Sequence, residues 1–216
     1  MPSKYVVRDF TEGNVYHIYN KSLAPILLFQ DDNDFQIFLY YLTIYTRPLE
    51  KVLEKYPNLP FRLRYNNISS EIDILAYSLL PTHFHIVARL HTKEGISRLM
   101  KQLTNAYTYY YNRRHKRSGP LLQGRFRACS LDVEKELKYL VRYLDRLPQE
   151  EGSTKDYLTY PYSSFQEYNK DLEDTLTKQR LIRSFLTSPQ NYIEFIKDDN
   201  DYRKTQNTIK DIKIHT

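Results

Sequence analysis

Residues 72–90 read IDILAYSLLPTHFHIVARL. An apolar run meets a turn at Pro81-Thr82, and strict alternation follows. Side chains along a strand point to opposite faces in turn, so Phe84, Ile86, Ala88 and Leu90 line one face of the second segment. His83, His85, Val87 and Arg89 line the other. Two histidines at i and i+2 on a stiff strand stand side by side, a geometry that can hold one divalent metal through two imidazole nitrogens.

The rest of the chain alternates between strand and helix signals. Asn14 to Asn20 (NVYHIYN) is rich in β-formers and reads as a first strand. Asp31 to Asn33 offer helix caps, and Phe35, Phe38, Leu39, Leu42 and Tyr45 keep helical spacing up to Pro48. Phe61 to Tyr65 reads as the start of another strand. From Thr92 the apolar stripe Ile96, Leu99, Met100, Leu103, Tyr107, Tyr110 and Tyr111 marks a long helix. Gly124 to Leu131 reads as a strand with Arg125 and Arg127 on one face. Asp132 is placed to cap a helix over Val133–Leu147, which Pro148 would halt. Tyr157 to Tyr168 is expected to pack back on the domain, followed by two short helices, 171–186 and 189–197. A charged and partly disordered tail over 198–216 completes the reading.

A chain of 216 residues with 41% hydrophobic and 27% charged content is of the folded, globular class. The lone Cys129 cannot form an internal disulfide, and the first ten residues lack a signal-peptide core, so a cytoplasmic location and no membrane partner are expected. The charge is uneven. Between Arg98 and Arg146 stand twelve Lys or Arg against four Asp or Glu, whereas the whole chain carries only +6. A basic block interleaved with tyrosines suits a phosphate backbone with unstacked bases. In the helix after Asp132, Tyr139 and Tyr143 lie four residues apart beside a basic ridge of Lys138, Arg142 and Arg146. Either could attack a phosphodiester near a metal, although such spacing also serves packing.

Several separated pieces, in order, resemble the REP-associated tyrosine transposases, which are single-tyrosine HUH transposases of the insertion-sequence type. They are YHIYNK at 16–21, FQDD at 29–32, LPTHFHI at 80–86, YNRRHKRSGPLLQGRF at 111–126, LVRYLDRLP at 140–148 and YPYSSFQEY at 160–168. The resemblance implies an α+β fold with a ferredoxin-like antiparallel sheet, helices packed on one face, and a short C-terminal helical extension. It divides the chain into a transposase domain (1–168) and the extension with its charged tail (169–216). It makes His83 and His85 the ligands of Mg²⁺ or Mn²⁺ and Tyr143 the catalytic nucleophile. Arg113, Arg114, Lys116, Arg117, Arg125, Arg127 and Arg142 would then bind DNA. The implied reaction nicks and rejoins hairpin-bearing single-stranded DNA through a 5′-phosphotyrosine, by a monomer or a homodimer.

One position departs from the family. A polar residue, often asparagine, usually follows the tyrosine by one helical turn and can complete the metal shell; here it is Leu147. Two other readings follow: a catalytically degenerate hairpin-binding protein on the same fold, and an unrelated HxH metal site. The latter needs a third ligand from His17, His91, His115 or His215.

Overall fold

The computed structural model describes residues 9–169, 175–185, 188–210 and 212. Its centre is a four-stranded, wholly antiparallel sheet built from β1 (Val15–Lys21), β2 (Ile72–Leu80), β3 (His83–Leu90) and β4 (Arg127–Leu131), in the order β2-β3-β1-β4. Helix α1 (Asp32–Thr46) connects β1 to β2, and α4 (Gly95–Arg114) connects β3 to β4. This βαββαβ order with an antiparallel sheet is the ferredoxin-like arrangement that the resemblance implied.

Local chemistry sets each boundary. Asp31 caps α1 by accepting from the backbone N–H groups of Asn33 and Asp34, and the helix stops before Pro48. β2 and β3 share a two-residue turn at Pro81-Thr82. The register of β2 slips between Ile74 and Ala76. Leu75 and Ala76 consequently both face the histidine side, while Ile74 and Tyr77 face the other.

The segment 61–65 is not a strand. It forms a short helix, α3 (Phe61–Tyr65), opened by Pro60 and following α2 (Leu49–Lys55). Proline favours the start of a helix, and the Arg64 guanidinium donates back to the Leu59 carbonyl at 2.6 Å. β4 begins only at Arg127, so Arg125 lies before the strand. After Asp132 the chain makes a π-helical turn (Val133–Leu137) and then α5 (Lys138–Glu150). Pro148 does not halt α5. It falls in the last turn, where only one intrahelical N–H is forfeited, and its own carbonyl accepts from Ser153 and Thr154.

The sheet separates two apolar layers. On one face Tyr16, Ile18, Phe84, Ile86 and Ala88 pack against Phe38, Leu42, Leu99, Leu103 and Tyr107 of α1 and α4. The expectation of helices on one face holds for this long pair. The opposite face is covered too. Val15, Tyr19, Leu75, Val87 and Cys129 pack against Leu140, Leu144 and Leu147 of α5, and the extension closes over them with Ile182, Tyr192, Ile196, Tyr202 and Ile209. Residues 160–164 fold back onto the free edge of β2, where Leu79 N–H donates to Tyr162 and Ser164 N–H to Tyr77. That pairing blunts an edge otherwise open to other chains.

Beyond α6 (Phe165–Asn169), the described extension consists of α7 (Arg180–Arg183), α8 (Pro189–Lys197), α9 (Asp199–Thr205) and a 3₁₀ turn over Gln206–Ile209. The expected helix over 171–186 is helical only at 180–183; 171–174 and 186 lie outside the described residues. The tail expected to be partly disordered is helical through 209, because Tyr202 and Ile209 are buried against α5. Residues 211 and 213–216 lie outside the described residues.

A Cβ built on Gly95 would sit 2.8 Å from the Glu71 carbonyl oxygen and 3.0 Å from Leu90 Cδ2. Helix propensity alone makes Gly→Ala stabilising, whereas overpacking against backbone does the reverse. Gly95→Ala is therefore expected to destabilise by about 1–3 kcal/mol. Urea denaturation of the two proteins checks the sign, and a more stable variant would refute the close-approach argument.

Candidate metal and nucleophile site

The histidine face of the sheet brings together residues that alternate along two neighbouring strands. β1 supplies His17, Tyr19 and Lys21, and β3 supplies His83 and His85, with Lys21 opposite His83 and Tyr19 opposite His85. The His83 and His85 rings are 5.0 Å apart at 86°, and each residue is almost fully buried. The Nε2 atoms of both are buried and make no hydrogen bond. An orphaned buried polar atom is costly, so a pair of them marks a place where a ligand is expected. These are the two histidines expected to hold a metal; the sequence did not say through which nitrogen.

Hydrogen bonding decides which nitrogen of His85 is bare. His17 Nδ1 lies 3.0 Å from the carbonyl oxygen of Ile212, and His17 Nε2 lies 2.9 Å from His85 Nδ1. A carbonyl only accepts, so His17 carries its proton on Nδ1. Its Nε2 then accepts from His85 Nδ1–H, and the Nε2 lone pair of His85 is left free. His83 Nδ1 rests 3.0 Å from Thr82 Oγ1, and its Nε2 faces Glu151 Oε1 at 3.5 Å, a long contact rather than a hydrogen bond. Burial holds all three rings neutral: His17 and His83 are lowered to about 4, the latter also by Lys21, and His85 lies well below the usual histidine range.

Tyr143 projects from α5 into the same apolar layer and is 5% exposed. Burial raises its phenol, and the carboxylates of Glu150 and Glu151 raise it further. Tyr143, Leu147 and Glu151 follow at i, i+4 and i+8, so one ridge of α5 runs from the phenol through the buried Leu147 to the carboxylate near His83. Glu151 escaped the sequence reading because α5 was expected to end at Pro148. Lys21 escaped as well, although its alternation with His17 and Tyr19 was visible.

Other anticipated residues lie elsewhere. Tyr139 faces Phe195 of the extension, with their rings 6.1 Å apart. Arg142, expected to bind DNA, is fully buried: it donates to the Phe195 carbonyl and Asp201, bonds Thr205, and stacks 4.1 Å over the Phe195 ring. That commitment takes it out of reach of a phosphate. Arg114 is likewise a structural residue, forked onto Asp31 and bonded to the buried Asp34. Arg127 extends over the Tyr19 ring at 6.0 Å on the histidine face, and Lys116 and Arg125 are exposed. Arg113 and Arg117 line a groove on α4. Asp145 is buried beneath α8, accepts from Tyr192 Oη and is pushed by burial to about 8.

Among the described residues no group of three His, Cys, Asp or Glu side chains is gathered closely enough to form a ready metal cage. His91 is tied to Asp73 and His115 to Asp34, both nitrogens of His17 are engaged, and His215 lies outside the described residues. His83 and His85 thus fit a metal as a two-nitrogen platform, whose remaining ligands would be substrate oxygens, water or a moved Glu151.

Comparison with known proteins agrees with this frame. Residues 50–146 match the family model described as "Transposase IS200 like". A solved REP-associated tyrosine transposase bound to a REP hairpin superposes with a TM-score of 0.51 at 17% identity, over 80% of this chain and 92% of that one. No curated protein matches. The resemblance seen in the sequence, and the α+β fold it implied, are borne out. Among the described residues no helix is long and apolar enough to cross a membrane.

The titrations set opposite pH slopes. A histidine whose folded pKa is depressed binds fewer protons folded than unfolded, so stability rises as pH climbs from about 4 to 6.5. Asp145 has a raised folded pKa, so its contribution is complete below 3.8 and fades as pH rises to about 8. Stability in metal-free buffer should therefore peak near pH 6.5 and fall by about 2 kcal/mol toward pH 8. Asp145→Asn should abolish that fall. Urea unfolding at pH 5, 6.5 and 8 tests this, and parallel profiles for both proteins would refute the Asp145 assignment.

Proposed function

We propose that this chain is a metal-dependent transposase that nicks and rejoins hairpin-bearing single-stranded DNA through a 5′-phosphotyrosine on Tyr143. The observation that carries the reading is the pair of buried Nε2 atoms of His83 and His85 that make no hydrogen bond. The placement of Tyr143 in the apolar layer that covers the same face of the sheet, and the family match, support it.

A bound Mg²⁺ or Mn²⁺ would polarise a phosphate oxygen of the strand. The protein's own groups do the rest. His17 holds His85 in the tautomer that leaves Nε2 unprotonated. Lys21 and Arg127, at the rim of the same face, attract the backbone. Tyr143 Oη attacks phosphorus in line, the phenol's proton passes to a base, and the bond to the 3′-oxygen breaks as that oxygen takes up a proton from water and leaves as the 3′-OH. The raised phenol pKa makes that transfer necessary, and Glu150 and Glu151 are the carboxylates whose charge reaches the phenol. Attack of a 3′-OH on the phosphotyrosine reverses the step and joins strands. Because His83, His85 and Tyr143 are buried, the strand reaches them only after part of the cover shifts.

Leu147 favours a second reading, a hairpin-binding protein that has lost chemistry. A leucine 3% exposed in the apolar layer supplies no ligand where the family usually places a polar group.

Incubation with a labelled hairpin-bearing single strand and Mn²⁺, followed by a denaturing gel, separates the two. The expected covalent band falls by roughly 10³-fold or more in Tyr143→Phe and His83→Ala and persists in Tyr139→Phe. Tight hairpin binding with no band from any variant would establish the second reading. Independently of turnover, His17→Phe should weaken Mn²⁺ binding roughly 10- to 100-fold by titration calorimetry, as loss of a residue that orients a ligand does. Unchanged affinity would exclude His17 from that role.

A further inference from the structure

A groove runs along the outer side of α4, on the sheet face away from the histidines. Two open cavities, of about 610 Å³ and about 1160 Å³, share Asn105 and Tyr109 and so lie end to end. Arg62, Arg98 and Lys101 line the first, and Arg113 and Arg117 line the second, while no Asp or Glu lines either. Arg98 is paired with Glu71, Arg113 donates to Tyr109 Oη, and Arg117 donates to Asn112 and the Pro120 carbonyl. Arg62 and Lys101 carry no ion pair among the described residues. Tyr109 is 67% exposed at the junction, and Phe61 and Tyr65, on the same short helix as Arg62, are 80% and 78% exposed.

We propose that this groove is a docking track for single-stranded DNA, distinct from the place where the strand is cut. Phosphates follow Arg62, Lys101 and Arg113, and unpaired bases stack on the exposed ring of Tyr109. Cations alternating with an open aromatic face are what a single strand can use. A duplex keeps its bases stacked on each other and gains nothing from the ring, and an acidic peptide would use only the cations. The far end of the groove reaches Leu122 and Gly124. There Ser22 pairs with Leu122 and Gln123 N–H donates to the Lys21 carbonyl, and Lys21 stands opposite His83. A strand anchored along α4 therefore leaves the groove at the end of the sheet where the histidines begin. The inference rests on the proposed function only in taking DNA as the ligand.

The test is fluorescence anisotropy of the full-length protein with a labelled oligothymidylate of about 12 nucleotides, at two salt concentrations. Arg62→Glu/Lys101→Glu is expected to weaken binding at least about tenfold and to flatten the salt dependence by about 0.7 per lost phosphate contact. Tyr109→Ala should weaken it roughly 5- to 150-fold, with Tyr109→Phe restoring it. Lys51→Glu, on an exposed helix outside the groove, should bind as the wild type does. Wild-type affinity in the groove variants overturns the proposal, as does loss of oligoglutamate binding with DNA binding intact. The outcomes also separate the two readings. No covalent band but groove-dependent DNA binding removes only the chemistry, a band with unaffected groove variants removes only the track, and no DNA binding at all removes both.

Discussion

His83 and His85 stand side by side in a dry layer, and much of this chain is arranged to keep water from them. The strand period puts them on one face; dryness has to come from outside the strand. α5 and the extension supply it with aliphatic and aromatic side chains, and the same burial lowers the histidines and raises Tyr143. One desolvated layer thus does two electrostatic jobs of opposite sign, since burial disfavours imidazolium and phenolate alike.

The cover is held by polar groups as well as by packing. Arg142 and Arg146 of α5 reach Asp201 and Asp199 of the extension, Tyr202 bonds Glu150, and Tyr192 bonds Asp145. A buried arginine is costly unless its charge is paired; the two terminal nitrogens of Arg142 bond the Phe195 carbonyl, Asp201 and Thr205, and three aromatic rings surround the guanidinium, while Nε makes no hydrogen bond. The basic ridge beside Tyr143 is therefore a clamp for the extension. Under the proposed function, the positive charge offered to nucleic acid is that of the α4 groove and of Lys21 and Arg127.

The sheet and the histidine pair were legible because strand alternation is a local signal, as were the stripe of α4 and the cap at Asp132. The roles of charged side chains were less so. RRHKR at 113–117 looks uniform in sequence, yet Arg114 belongs to Asp31 and Asp34, which lie some eighty positions earlier. Arg142 has the helical position of a surface cation, and only the extension's return over α5 buries it. Pro148 was read as a stop, and the misplaced end of α5 hid Glu151. For both arginines the deciding partner is distant in sequence, and periodicity carries no information about it.

The hydrogen bond between His17 and Ile212 joins residues 195 positions apart. Contacts of that separation form late, because a long loop must close before they reward it. The β2–β3 hairpin, with its two-residue turn, needs nothing beyond Leu90 to begin pairing. During folding, the two histidines are thus assembled on their strand well before the segment that fixes the tautomer of His85 arrives. A protein caught at that stage has the two histidines in line but no rule for which nitrogen of His85 holds the proton; that rule arrives only when the 195-residue loop between His17 and Ile212 closes.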